Sequence, residues 1–263
     1  MLATRAETNR RQFLGNAAAF VTASALRPSA ATAQAGHSRI KAVAFDAFAI
    51  FDTGSVVRLM EEVVPGRGEE LCNRWRVRQF EYTWLRNSMH RYADFWHVTQ
   101  DALNYAAEQS KVQLNPQQKV LLTSAYLQLK PWADVIGVLK TLQNRGIRMA
   151  LLANLTPGML QSCVTHSSLG FLFEFQLSTD RVKVFKPDPA TYDMGLNAFH
   201  LDKHEIAFVA FGGWDAAGAK AFGYPTYWVN RLDLPAEQLG EFADATHNDL
   251  TQLPNFIDIG RGM

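Results

Sequence analysis

The chain has 263 residues, 48% of them hydrophobic, enough for a sizeable core in one large or two smaller domains. Lysine plus arginine is 26 against 25 for aspartate plus glutamate, a net charge of +1. That balance excludes an electrostatic case for nucleic acid or an anionic membrane surface, so charge selectivity must come from a local site.

The first 35 residues read as a leader rather than as part of the fold. Asn9-Arg10-Arg11-Gln12-Phe13-Leu14-Gly15 is a paired-arginine motif, Ala17 to Leu26 is mildly apolar and rich in alanine, and Ala33-Gln34-Ala35 supplies a small-residue cleavage site. This order resembles a twin-arginine export signal, the alternative being a disordered basic tail. The resemblance implies recognition by the twin-arginine export machinery, a mature chain starting near Gly36 and a periplasmic location. Ala17 to Leu26 is too short to span a bilayer, and no later segment reaches that length uninterrupted, so no membrane partner is expected for the mature form.

Beyond the leader, short apolar runs at Lys41 to Phe45, Arg148 to Ala153, Ile206 to Phe211 and Thr226 to Val229 read as strands buried on both faces, with a weaker one at Phe175 to Ser178. Helical stretches alternate with them. Asp134 to Arg145 carries Val135, Val138, Leu139 and Leu142 on one face and stops before Gly146. Asp188-Pro189 suits an N-cap followed by proline, opening a helix through Tyr192 and Leu196. The alternation argues for an α/β fold, a doubly wound parallel sheet.

Residues 54–130 interrupt this pattern with helical periodicity and many aromatics. Arg76, Phe80 and Thr83 share one face, and Val77, Phe80 and Trp84 form an adjoining stripe. A helical block inserted after the first strand is expected to sit over the carboxyl edge of the sheet as a cap. The organisation is therefore a leader (1–35), an α/β core (36–53 and 131–263) and a helical cap (54–130). Cys72 and Cys163 have no metal-ligand spacing; they read as small core residues, with a disulfide open as the alternative.

Five segments then occur in order: "AVAFDAFAIFD", "WRVRQFEYTWLR", "LLANLTPGML", "VKVFKPDPATYDMG" and "AFGGWDAAGAKAFGYPTYWVNR". Together they resemble the type II L-2-haloacid dehalogenases of the haloacid dehalogenase superfamily, over essentially the whole chain after the leader. The resemblance implies a core resembling a dinucleotide-binding fold and hydrolysis of short 2-haloalkanoic acids to 2-hydroxy acid and halide, with no cofactor, no metal and a possible homodimer. It makes Asp46 the nucleophile that displaces halide and forms an ester, which water then attacks; the alternative is an N-cap aspartate opening the next loop. It makes Lys186 the cation beside the nucleophile and Arg76 the arginine that holds halide or the substrate carboxylate. Asn154 falls near the leaving halide, Tyr192 and Asp215 complete the polar site, and Phe48, Phe80, Phe95 and Trp214 line the apolar pocket.

The sequence also departs from the family. Asp46-Ala47-Phe48-Ala49-Ile50-Phe51-Asp52 is one residue shorter than the usual Asp-x-Tyr-Gly-Thr-Leu-Phe-Asp and has neither glycine nor threonine. Ala153 stands where serine is usual, and Ala210 and Gly212 fall in a segment that usually carries serine and asparagine. These losses leave a second expectation, a catalytically silent protein binding a small acid or a partner. A magnesium-dependent phosphatase is disfavoured, because position 48, where such enzymes carry a general acid, is phenylalanine.

Overall fold

The computed structural model describes residues 40–259; the leader expectation lies outside them. In chain order the elements are β1 (Ala42–Phe45), α1 (Ala47–Ile50), β2 (Phe51–Asp52), α2 (Gly54–Val63), α3 (Gly68–Met89), α4 (Phe95–Gln109), α5 (Pro116–Ser124) and β3 (Lys130–Pro131). They continue as α6 (Val135–Asn144), β4 (Arg148–Ala153), α7 (Pro157–Ser167), β5 (Phe175–Ser178), α8 (Pro189–Phe199), β6 (Ile206–Ala210), α9 (Gly213–Phe222), β7 (Thr226–Val229), β8 (Ala245–His247) and α10 (Leu253–Ile259).

Six strands form one sheet in the order β5-β4-β1-β6-β7-β8, and every pairing is parallel. The runs Ala42–Phe45, Ile206–Ala210 and Thr226–Val229 are buried at every residue, as a sheet covered on both faces requires. Alternation in β1 divides the interior. Val43 and Phe45 join a core with Leu139, Leu142, Leu160 and Ile257, whereas Ala42 and Ala44 join a second with Tyr192, Phe199, Ala216 and Ala219. Helices thus cover both faces, as the strand–helix alternation predicts. Asp188 caps α8 by accepting from Ala190 N–H, Pro189 follows at the first helical position, and Gly146 takes φ +72° just past α6.

β8 was not anticipated. Its three residues, Ala-Thr-His, are half-buried or exposed at the sheet edge, and so short and polar a run carries no apolar signal.

Between β2 and β3 the chain is helical. The two short strands pair antiparallel, Phe51 with Pro131 and Asp52 with Lys130, so the helical segment leaves and rejoins at one point. The long helix α3 buries Leu71, Cys72, Trp75, Gln79 and Thr83. Along the stripe of Val77, Phe80 and Trp84, Val77 and Trp84 lie on the exposed side and Phe80 is partly buried, stacked on Trp84. No described helix is long and apolar enough to cross a membrane.

Candidate active site

Parallel pairing puts the carboxyl ends of β4, β1 and β6 side by side, which is where an open α/β sheet gathers ligands. Asn154 follows β4, Asp46 follows β1, and Phe211 to Asp215 follow β6 into the first turn of α9. Residues far apart in the chain therefore converge because their strands are neighbours.

Asp46 caps α1, its Oδ2 accepting from the Phe48 amide at 3.0 Å, while its Oδ1 accepts from Lys186 Nζ at 2.8 Å. Lys186 is fully buried and also donates to Asp215 Oδ2 at 2.6 Å, so one ammonium bridges two carboxylates. The remaining oxygen of Asp215 accepts from the Tyr192 hydroxyl at 2.7 Å. Tyr224 in turn donates to the Tyr192 carbonyl at 2.7 Å.

The electrostatics follow from this stacking. Burial disfavours the Lys186 charge, but Asp215 and then Asp46 outweigh it and hold the ammonium above the usual lysine range. Burial, with Asp46 adding to it and Lys186 opposing it, pushes the Asp215 carboxyl up to about 6. Burial and the Asp215 charge raise the Tyr192 phenol well above its ordinary range, so it remains a proton donor.

Asn154 supports the same lysine from its backbone side. Its Oδ1 accepts from Lys186 N–H at 3.0 Å and from the Thr179 hydroxyl at 3.3 Å. Its Nδ2 is buried and has no hydrogen-bond partner among the described residues. A second asparagine, Asn87 on α3, grips the preceding residue: Nδ2 donates to Phe185 O at 2.7 Å, and Oδ1 accepts from Phe185 N–H at 3.0 Å. The peptide groups that deliver Lys186 are thus held by two asparagine side chains.

Asp46, Asn154 and Asp215 line a cavity of about 10 Å³, room for roughly one water. Phe48, Phe80, Leu155, Phe211 and Trp214 supply the apolar walls, with Ala153 and Gly212 between them. Phe80 reaches the site from α3 and packs on Trp214 at 5.1 Å; Trp84 meets the same indole at 5.4 Å.

Of the residues expected from sequence, Asp46, Lys186, Asp215, Tyr192 and Asn154 come together, with Phe48, Phe80 and Trp214 around them. Phe95 is not on the cavity wall; it is buried, edge-on to Phe185 at 6.3 Å. Arg76 does not line the cavity either: the residue is half-buried, and its guanidinium donates to Asn73 Oδ1 at 3.2 Å on the exposed side of its own helix. Sequence reasoning passed over Phe211, Asn87 and Thr179. Only Phe211 had a signal, lying in the quoted "AFGGWD" segment. Cys72 and Cys163 are buried free thiols, and burial pushes each up to about 11.

Known proteins place the chain in a family. A family model described as haloacid dehalogenase-like hydrolase matches residues 16–223. The (S)-2-haloacid dehalogenase of Pseudomonas sp. (strain YL) is 40% identical over 224 residues, covering 85% of this chain and 97% of that protein. The L-2-haloacid dehalogenase RSc1362 superposes with a TM-score of 0.82 at 36% identity, over 84% of this chain and all of that one (100%). The L-2-haloacid dehalogenase of Xanthobacter autotrophicus with chloropropionic acid covalently bound superposes with a TM-score of 0.78 at 34% identity, over 85% and 99%. The chain belongs to the haloacid dehalogenase-like hydrolases and, within them, to the L-2-haloacid dehalogenase family.

Proposed function

We propose that this protein hydrolyses short 2-haloalkanoic acids to 2-hydroxy acids and halide through an ester on Asp46. The observation that carries the reading is the Lys186 ammonium shared between Asp46 and Asp215 beneath an apolar cavity. A carboxylate is a weak nucleophile unless it is ionised, aimed and kept from bulk water. Lys186 pairs with Asp46, the Phe48 amide orients it, and the aromatic walls keep bulk water out.

An Asp46 oxygen attacks the halogen-bearing carbon, forms the C–O bond and expels halide. The buried Asn154 Nδ2 is a donor in search of an anion, and we assign it to the departing halide. Water then adds to the ester carbonyl. Lys186 offsets the oxyanion, and Asp215 takes the water's proton, a task suited to a carboxyl near 6. Collapse breaks the ester bond, the departing alkoxide takes the proton back from Asp215 to give the hydroxy acid, and loss of the second water proton to solvent regenerates the Asp46 carboxylate.

Several further assignments belong to this reading. The helical segment 54–130 acts as a cap: the small cavity requires Phe80 and α3 to lift for substrate to enter. Arg76 swings from Asn73 toward the substrate carboxylate once a haloacid is present, since a guanidinium serves either anion. The exposed Val77, Trp84, Leu85 and Met89 of α3 support pairing with a second copy, which sedimentation of the Leu85→Glu variant checks. Residues 1–35 direct export to the periplasm, and N-terminal sequencing of periplasmic material should start near Gly36.

The reading is tested by incubating the protein with L-2-chloropropionate and monitoring free halide. Release is expected, and Asp46→Asn should abolish it. A folded protein that releases none from any short haloacid leaves the non-catalytic binding role in its place.

A further inference from the structure

The turn after the nucleophile has neither glycine nor threonine, yet it is held firmly from outside. Three successive carbonyls accept hydrogen bonds from elsewhere: Phe48 O from Trp132 Nε1 at 3.1 Å, Ala49 O from Arg231 Nη2 at 3.1 Å and Ile50 O from Trp132 N–H at 3.0 Å. Trp132 directly follows β3, and Arg231 lies just beyond β7.

The donors hold one another in turn. Arg231 meets Asp134 through both terminal nitrogens at 3.0 Å, and its guanidinium lies 4.6 Å from the centre of the Trp132 ring. Asp134 Oδ2 also accepts from Leu250 N–H at 2.8 Å, tying the group to the chain before α10. The Arg231 side chain is only 6% exposed. A two-point arginine–carboxylate pair of this kind fixes direction as well as distance.

We propose that Trp132 and Arg231, backed by Asp134, are positioning residues that aim Asp46 by fixing the backbone of residues 48–50. The proposal rests on the aspartyl-ester reading of Asp46. The link is short: the fixed turn presents Phe48 N–H to Asp46 Oδ2 at 3.0 Å, while Ala49 N–H closes onto Asp46 O at 3.1 Å. Without the three outside donors, the amide that orients the nucleophile sits in a four-residue turn with buried, unsatisfied carbonyls.

Trp132→Phe tests this with little disturbance. It keeps a ring beside Arg231 and the main-chain bond to Ile50, and removes only the donor to Phe48 O. Two readouts decide. Amide exchange across residues 45–52 should quicken about ten-fold, with β4 and β6 unchanged. The rate of Asp46 ester formation per titrated active site should fall about ten-fold at unchanged KM, because the lost bond touches the nucleophile and not the substrate. Unchanged exchange over 45–52 overturns the brace whether or not haloacids are turned over. Quickened exchange with a wild-type rate per active site also overturns it, reducing the group to a structural support. Wild-type protein without halide release overturns the ester reading instead, and the exchange experiment still decides on the brace.

Discussion

Lys186 is the residue on which the site depends, because a fully buried ammonium is tolerable only between the two carboxylates it touches. Lys186→Met should leave Asp46 and Asp215 facing each other uncompensated. A loss of about 3–5 kcal/mol is expected, read by denaturant unfolding, together with loss of halide release. Asp215 sets the pH behaviour. Its carboxyl, pushed up to about 6, is protonated below that pH and can then neither pair with Lys186 nor accept the water's proton. Single-turnover ester hydrolysis should therefore rise through about pH 6 and level off above it. Stability has the opposite sign: an acid that is harder to ionise when folded contributes most below its ordinary 3.8, and that contribution is lost as pH rises through about 6. An acid limb with the reverse slope would remove Asp215 from the base role. At this scale the residues readable from sequence, Asp46, Asn154, Lys186, Tyr192 and Asp215, are those that fall in motifs of the family in a recognisable order along the chain. Asn87, Trp132 and Arg231 bind backbone carbonyls on distant segments, and no spacing rule encodes such a partner.

The long helix α3 connects the cavity roof to the lysine. Phe80 faces Trp214, and Asn87, two turns further on, holds both polar groups of Phe185 beside Lys186. Tyr92, just beyond the helix, stacks on Phe185 at 5.1 Å and donates to Asp180 at 2.7 Å. On the proposed reading, α3 would couple closure of the helical segment to the placement of Lys186. Asn87→Ala should lower halide release about ten-fold by loosening both contacts, while Asn73→Ala on the exposed face should leave the fold intact. Equal rates for Asn87→Ala and wild type would show that Lys186 needs only Asn154. The faces of α3 were only partly legible. Phe80, expected at the pocket from the family resemblance, lines the cavity, but the buried row includes Gln79 and Thr83, whose amide and hydroxyl groups are satisfied internally; polarity alone reads such residues as exposed.

For the whole molecule, four of the five anticipated strands were legible because a parallel sheet covered on both faces demands apolar runs, while the edge strand β5, Phe-Gln-Leu-Ser, is half-buried at two positions and gave a weaker signal. What sequence leaves open is order, and the order β4-β1-β6 is what makes Asn154, Asp46 and Asp215 neighbours. The shortened turn after Asp46 reads as a defect in one dimension. In three it is held by donors from residues more than eighty positions away. The central claim is that this turn still delivers a working nucleophile. It is tested most directly by rapid acid quenching of the protein with excess L-2-chloropropionate, followed by mass spectrometry of the peptide that contains Asp46. A propionate ester confined to Asp46, absent in Asp46→Asn, is the predicted result. An unmodified Asp46 peptide, or an ester on another residue, in protein shown to be folded would contradict it.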